Sequence, residues 1–271
     1  MDKSLFLLLV SVFFVESDRI SLRFPCIILI REKQLSGLPY KRVLLKVSGE
    51  ALAGDLGFGI DVSAVDRICS DIAEASSKGV EIGVVVGGGN IFRGIGISGI
   101  ERSVGDSMGM LSTVINALAL DSSLRKMNVR TVILSSIFMP QICEIFSHRS
   151  AMSYLSQGFV VIFSGGTGNA FLTTDSAAAL RAIEIGADAI FKGTQVDGVY
   201  SSDPKKDSLA TRFESLTYSQ IIEKRLEVMD LASIILARDN SVPIVVFSIH
   251  SPREFLKVLS GLGRRTIVSG K

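Results

Sequence analysis

From Tyr40 onward, short apolar runs alternate with amphipathic segments. Arg42–Val47 (RVLLKV) is apolar on both faces and predicts a buried strand. After a glycine-rich stretch, Asp61 is placed to cap a helix whose Val62, Val65, Ile68, Cys69 and Ile72 share one face, with Gly79 as its stop. Glu81–Val86 predicts the next strand and runs into Gly87, Gly88 and Gly89, and Asp106 is placed to open a helix reaching about residue 127. Thr131–Ser135 and residues 159–164 read as strands, 175–185 (DSAAALRAIEI) as a helix and 188–192 (DAIFK) as a strand. Residues 202–211 (SDPKKDSLAT) are polar and read as a loop. A helix at 230–239, a strand at 243–247, a helix at 252–259 and a short strand at Thr266–Val268 complete the pattern. Doubly apolar strands alternating with amphipathic helices imply an α/β fold, a doubly wound, mostly parallel sheet sandwiched by helices.

Composition narrows the class. Of the 271 residues, 47% are hydrophobic and only 6 are Pro, which excludes disordered, collagen-like and disulfide-stapled chains. Lys and Arg number 29 against 27 Asp and Glu, so the net charge of +2 supplies no field for nucleic acid or a membrane surface. Cys26, Cys69 and Cys143 form no CxxC, and His148 and His250 have no metal-ligand spacing, so no protein-held metal is expected and a reducing, cytoplasmic setting is the simplest reading. The first 39 residues differ from the rest: residues 5–15 (LFLLLVSVFFV) are apolar, but Glu16, Asp18 and Arg19 follow without a small-x-small cleavage pattern. Residues 1–39 are therefore read as an extension upstream of the real start, and residues 40–271 as a single catalytic domain.

In a parallel sheet, ligands bind beyond the carboxyl ends of the strands. Glycine clusters follow the first strand, the second strand and residues 159–164, which puts three flexible loops on one edge. Exposed backbone N–H groups there attract phosphate. Lys46, Arg93 and Lys192 add cations to the same edge, a set suited to a polyphosphate. The usual fingerprints are missing, since there is no GxxxxGK[ST] and no HRD or DFG set. A GxGxxG at Gly94, Gly96 and Gly99 lacks the strand-turn-helix context that dinucleotide binding needs.

The runs YKRVLLKVSGEAL, GFGID, VVVGGGNIFRG, VGDSMGML, SGGTGNAFLTTDSAAALRAIEI, KGTQVDGVYSSDPKKD and VMDLASIILARDN, in order from Tyr40 to about Val268, resemble the bacterial uridylate kinase family of the amino acid kinase fold. The resemblance implies transfer of the γ-phosphate of ATP to UMP in pyrimidine nucleotide biosynthesis. By position it implies ATP contacts at Lys46, Val47, Ser48, Gly49, Gly89, Arg93, Thr194, Tyr200 and Asp203. It implies UMP contacts at Gly88, Asp106, Thr167, Gly168, Asn169, Ala170, Phe171, Leu172, Thr173 and Thr174. Catalytic roles fall on Lys46, Arg93, Asp175 and Lys192, with Asp175 organising the cations. Mg²⁺ is expected on the ATP phosphates, and a homohexamer with GTP activation and UTP inhibition is implied. Gly54, Asp55, Leu56, Gly57, Phe58 and Gly59 match a GTP effector stretch. Ala170, where Pro is frequent, and Gln195, where Lys or Asn is common, depart from the pattern. The alternative is another amino acid kinase fold member acting on a carboxylate, carbamate or isoprenoid phosphate.

Phosphoryl transfer asks for alignment and positive charge more than for a base, which agrees with the lack of a catalytic His. Simpler readings stand beside these roles: Asp175, Asp106 and Asp230 could each be a helix cap, and Asp203-Pro204 could start a turn.

Overall fold

The computed structural model describes residues 38–93 and 99–270. The segment before residue 38, including Cys26 and the apolar run at 5–15, lies outside the described residues, as do Gly94 and Gly96. The central strand is Arg42–Val47 (β1), paired in parallel on one side with Glu81–Val86 (β2) and on the other with Ala189–Thr194 (β6). Between β2 and β6 the chain lays down Thr131–Ser135 (β3), Glu144–Ile145 (β4) and Val160–Ser164 (β5), and after β6 come Ser215–Leu216 (β7), Ile244–Ser248 (β8) and Thr266–Val268 (β9). The sheet order is β4-β3-β5-β2-β1-β6-β8-β9-β7, and only the β8–β9 pair is antiparallel. Strand order departs in both directions from β1, so the crevice beyond its carboxyl end is a topological switch point.

Helices cover both faces. On one face Leu45, Val84, Ile162 and Phe191 pack with Val62–Ser77 (α2), Arg102–Lys126 (α3) and Glu254–Leu259 (α8). On the other, Leu44, Val161 and Ile190 pack with His148–Ser156 (α4), Thr174–Glu184 (α5), Tyr218–Glu223 (α6) and Leu231–Asp239 (α7). The short helix Gly49–Ala53 (α1) follows β1 directly. Among the described residues no helix is long and apolar enough to cross a membrane.

The structure corrects several expectations. α3 begins at Arg102, four residues before Asp106, because Glu101 already has the extended backbone of a cap and the preference of Asp for helix starts is overridden inside a long helix. Asp175 does not cap α5: Thr173 does, its hydroxyl accepting from the N–H groups of Asp175 and Ser176. Asp61 caps α2 as expected, but Val62 points to solvent while Val65, Ile68, Cys69 and Ile72 are buried. The last helix starts at Glu254, behind Arg253 in a left-handed conformation, and the carboxylate of Asp71 accepts the Arg253 and Phe255 N–H groups, capping it from α2. α1, α4, α6, β4 and β7 have no counterpart among the elements read from the pattern.

Candidate active site

The sheet register builds the centre of the site. Lys46 on β1 is directly opposite Lys192 on β6, so both side chains leave the same face, two residues beyond Leu44 and Ile190 in the α5-side core. The first turn of α5 brings Asp175 between them: Lys46 Nζ lies 2.8 Å from Oδ1 and Lys192 Nζ 2.6 Å from Oδ2. Lys192 also donates to the Val228 carbonyl at 2.6 Å. All three charges are nearly buried. Burial alone would raise the Asp175 carboxyl, but the two ammoniums outweigh it and hold the group below the usual carboxylate range. For Lys192, burial depresses the ammonium, with Lys46 adding to the effect and Asp175 opposing it. Two cations thus share one anion at the carboxyl end of the central strands, and Asp230 adds a weaker pull on Lys192.

The glycine loops close around this point. A Cβ on Gly49 would come within 2.4 Å of Asn90 Oδ1 and 2.8 Å of the Gly89 nitrogen, and one on Gly88 would meet the Gly109 carbonyl at 2.6 Å. Only glycine lets the β1–α1 turn, the β2 loop and α3 approach so closely. Ser48, two residues after Lys46 in the chain, has a buried hydroxyl without a partner. Arg93 is further out: its side chain is 64% exposed, pairs with Glu50 and donates to the Gly89 carbonyl at 3.1 Å. Asn90 and Asn116 form a buried reciprocal amide pair that also holds the Gly87 and Gly59 carbonyls. This pair escaped the sequence reading, although an Asn among the apolar positions of LSTVINALAL was a visible signal.

The loop after β5 faces the N-terminal half of α3. Gly165 N–H donates to Thr113 Oγ1 at 2.8 Å, and Phe171 N–H to Asp106 Oδ2, also at 2.8 Å. Arg102 reaches the same Asp106 oxygen at 3.7 Å and covers the Phe171 ring. Thr167 and Asn169 bond to each other within the loop, and Phe171 and Leu172 are exposed. Asp230 caps α7 through the Ser233 N–H and also accepts from the hydroxyls of Thr173 and Ser176, tying α7 to the start of α5. It is therefore a cap and a tether together.

Other matched residues are not drawn into this cluster. Thr194 ends β6 and bonds to Val196, Tyr200 donates to Asp197, and Asp203 accepts from Lys205 N–H within its own turn. In the stretch from Gly54 to Gly59, Leu56 and Phe58 are exposed, and Gly59 N–H donates to the Asn90 carbonyl at 2.8 Å. No group of three or more His, Cys, Asp or Glu is gathered for a cation among the described residues, and Asp175 is committed to the two lysines. Among the described residues, this donor set does not fit a metal held by side chains of the site.

Residues 41–248 match the amino acid kinase family. The chain is 66% identical over 234 residues to a uridylate kinase from Agrobacterium fabrum, covering 86% of this chain and 97% of that one. A uridylate kinase from Rhizobium meliloti is 66% identical over 232 residues, covering 85% and 97%. The crystal structure of UMP kinase from Bacillus anthracis superposes with a TM-score of 0.82 at 37% identity, over 85% of this chain and 96% of that one. By family match, identity and fold together, the chain belongs to the amino acid kinase family and, within it, to the bacterial uridylate kinases.

Proposed function

We propose that this chain transfers the γ-phosphoryl group of ATP to UMP. The observation that carries the reading is the Lys46–Asp175–Lys192 triad at the switch point of the sheet, beside glycine turns packed too closely for any Cβ at Gly49 or Gly88. An oxygen of the UMP phosphate, already anionic at neutral pH, attacks the γ-phosphorus, and the bond to the β–γ bridging oxygen breaks as ADP leaves. Lys46 and Lys192 meet the charge on the transferring group, and Asp175 keeps the two ammoniums in place. Val47, Ser48, Gly49 and Gly89 line the ATP phosphates, with Arg93 at the rim, and Thr194, Tyr200 and Asp203 take the adenosine side. Asp106 accepts the ribose hydroxyls of UMP, aided by Gly88 and the loop from Thr167 to Thr174. ATP carries its own Mg²⁺ on the phosphates, and no step is assigned to a metal ligand of this chain. Identity of 66% to uridylate kinases favours UMP over the carboxylate, carbamate and isoprenoid phosphate acceptors of the wider family.

We assign residues 40–271 to the catalytic domain and place the enzyme in the cytoplasm as a homohexamer activated by GTP at Gly54–Gly59 and inhibited by UTP. A coupled ADP-release assay across UMP, CMP, dTMP, acetylglutamate and carbamate tests the central reading. UMP should be the preferred acceptor by a wide margin, and turnover with any other acceptor at a comparable kcat/KM refutes it.

A further inference from the structure

One buried cation takes no part in the transfer. Arg181 sits on α5 six residues beyond Asp175 and is only 4% exposed. Its guanidinium pairs with Glu184, lies 3.5 Å over the Phe146 ring and donates from Nη2 to Ser136 Oγ at 2.8 Å. Ser136 Oγ in turn donates to the Gly166 carbonyl at 2.9 Å. A guanidinium only donates and a carbonyl only accepts, so the single hydroxyl proton must point at Gly166 and the chain has one direction. The recipient backbone needs such support. Gly165, Gly166 and Gly168 have φ of 73°, 56° and 78°, and glycine in this region gains little from its own sterics. Within itself the loop is braced by the Gly168 N–H, which donates to the Gly165 carbonyl at 3.0 Å, and by the Thr167–Asn169 bonds. To the rest of the fold it is otherwise tied at its two ends, by Thr113 at Gly165 and by Asp106 at Phe171.

We propose that Arg181 and Ser136 are positioning residues for the acceptor: they fix the Gly166 carbonyl and with it the loop from Gly165 to Phe171. The link runs from the same helix whose first turn carries Asp175, so one rigid element aligns both the phosphate lysines and the acceptor loop. The inference rests on the assignment of this loop to UMP.

Ser136→Ala removes the relay and leaves the fold intact, and Arg181→Lys keeps the buried charge but cannot serve Glu184 and Ser136 together; Arg181→Ala is avoided because it leaves Glu184 unpaired. Each variant should raise KM for UMP by about 5- to 10-fold, the size of one hydrogen bond, with KM for ATP within about 2-fold. The double variant should be no worse than the worse single one, since both changes cut one chain. Hydrogen exchange at Gly166, Gly168 and Asn169 in the nucleotide-free enzyme should speed up in both variants. Unchanged exchange, additive effects, or an equal rise in both KM values would overturn the inference and leave the site assignment standing. Faster exchange with an unmoved KM for UMP would overturn the assignment of the loop to the acceptor, and the inference with it.

Discussion

Replacing Asp175 by Asn tests the triad most directly. The amide keeps the size of the side chain but removes the one anion shared by Lys46 and Lys192, which sit 2.8 and 2.6 Å from its oxygens in a nearly buried setting. Removing one partner of a buried pair costs about 3–5 kcal/mol, and retention of a neutral acceptor puts this change near the lower limit. For a chain of this size about 3 kcal/mol lowers Tm by roughly 6–12 °C. ATP brings phosphates to the same ammoniums, so saturating nucleotide should raise Tm more in the variant than in the wild type. Lys192 also loses the anion that opposes its depression, so the alkaline limb of the kcat profile should move to lower pH. In the wild type the sign is that of a carboxylate held low: its stabilisation is present above the ordinary value of 3.8 and is lost as pH falls through the lower folded value. Thermal unfolding with and without a non-hydrolysable ATP analogue measures the effect. A Tm within about 2 °C of wild type, or equal nucleotide stabilisation in both proteins, would refute the shared-anion account.

Lys46→Ala should lower kcat by roughly 10²-fold or more, with KM for UMP little changed, as expected for loss of charge at the transferring group; steady-state kinetics with near-normal kcat would contradict the role. Asp106→Asn should raise KM for UMP several-fold and spare ATP, and the wild type should discriminate against dUMP, which lacks the 2′-hydroxyl; a larger rise in KM for ATP would reverse the assignment. Burial, with Arg67 and Lys205 nearby and Asp55 opposing them, holds His250 below its ordinary 6.5, so the unfolded chain binds its proton first and stability should fall as pH drops through 6.5 toward the lower folded value. Chemical denaturation of His250→Gln across that range should show a flatter dependence, and an unchanged slope would acquit the imidazole. A chain beginning at Leu38 should fold and keep full activity, because the amino acid kinase family match starts at residue 41 and β1 at Arg42; loss of activity on truncation would give the N-terminal segment a role.

β1, β2, β3 and β9 were legible to the residue, since short doubly apolar runs flanked by glycine and polar turns have few other uses. β4 and β7 were not, because two-residue edge strands carry no periodicity. α4 hid for a related reason: only Ala151 and Leu155 of HRSAMSYLS are buried, one turn apart in a polar segment. Lys46, Lys192 and Asp175 could be chosen from motif and strand position, but their mutual contact depends on the β1–β6 register, which no local signal encodes. Thr173 and Asp175 are both good caps two residues apart, and tertiary charge decided between them by drawing the carboxylate to the lysines.

Because Lys46 and Lys192 are neighbours in one ladder, the spacing of the two ammoniums is inherited from the distance between hydrogen-bonded strands. A slip of one residue between β1 and β6 would turn one lysine to the opposite face, so this pair of ammoniums, the proposed donor half of the site, tolerates no gradual adjustment. On the proposed assignment, the acceptor half lies in a glycine loop and a helix face, in Asp106 and the backbone from Gly165 to Phe171. The two halves can therefore change at different rates, and redesign toward a new phosphoryl acceptor has its room in that loop and along the start of α3, with the strands left as they are.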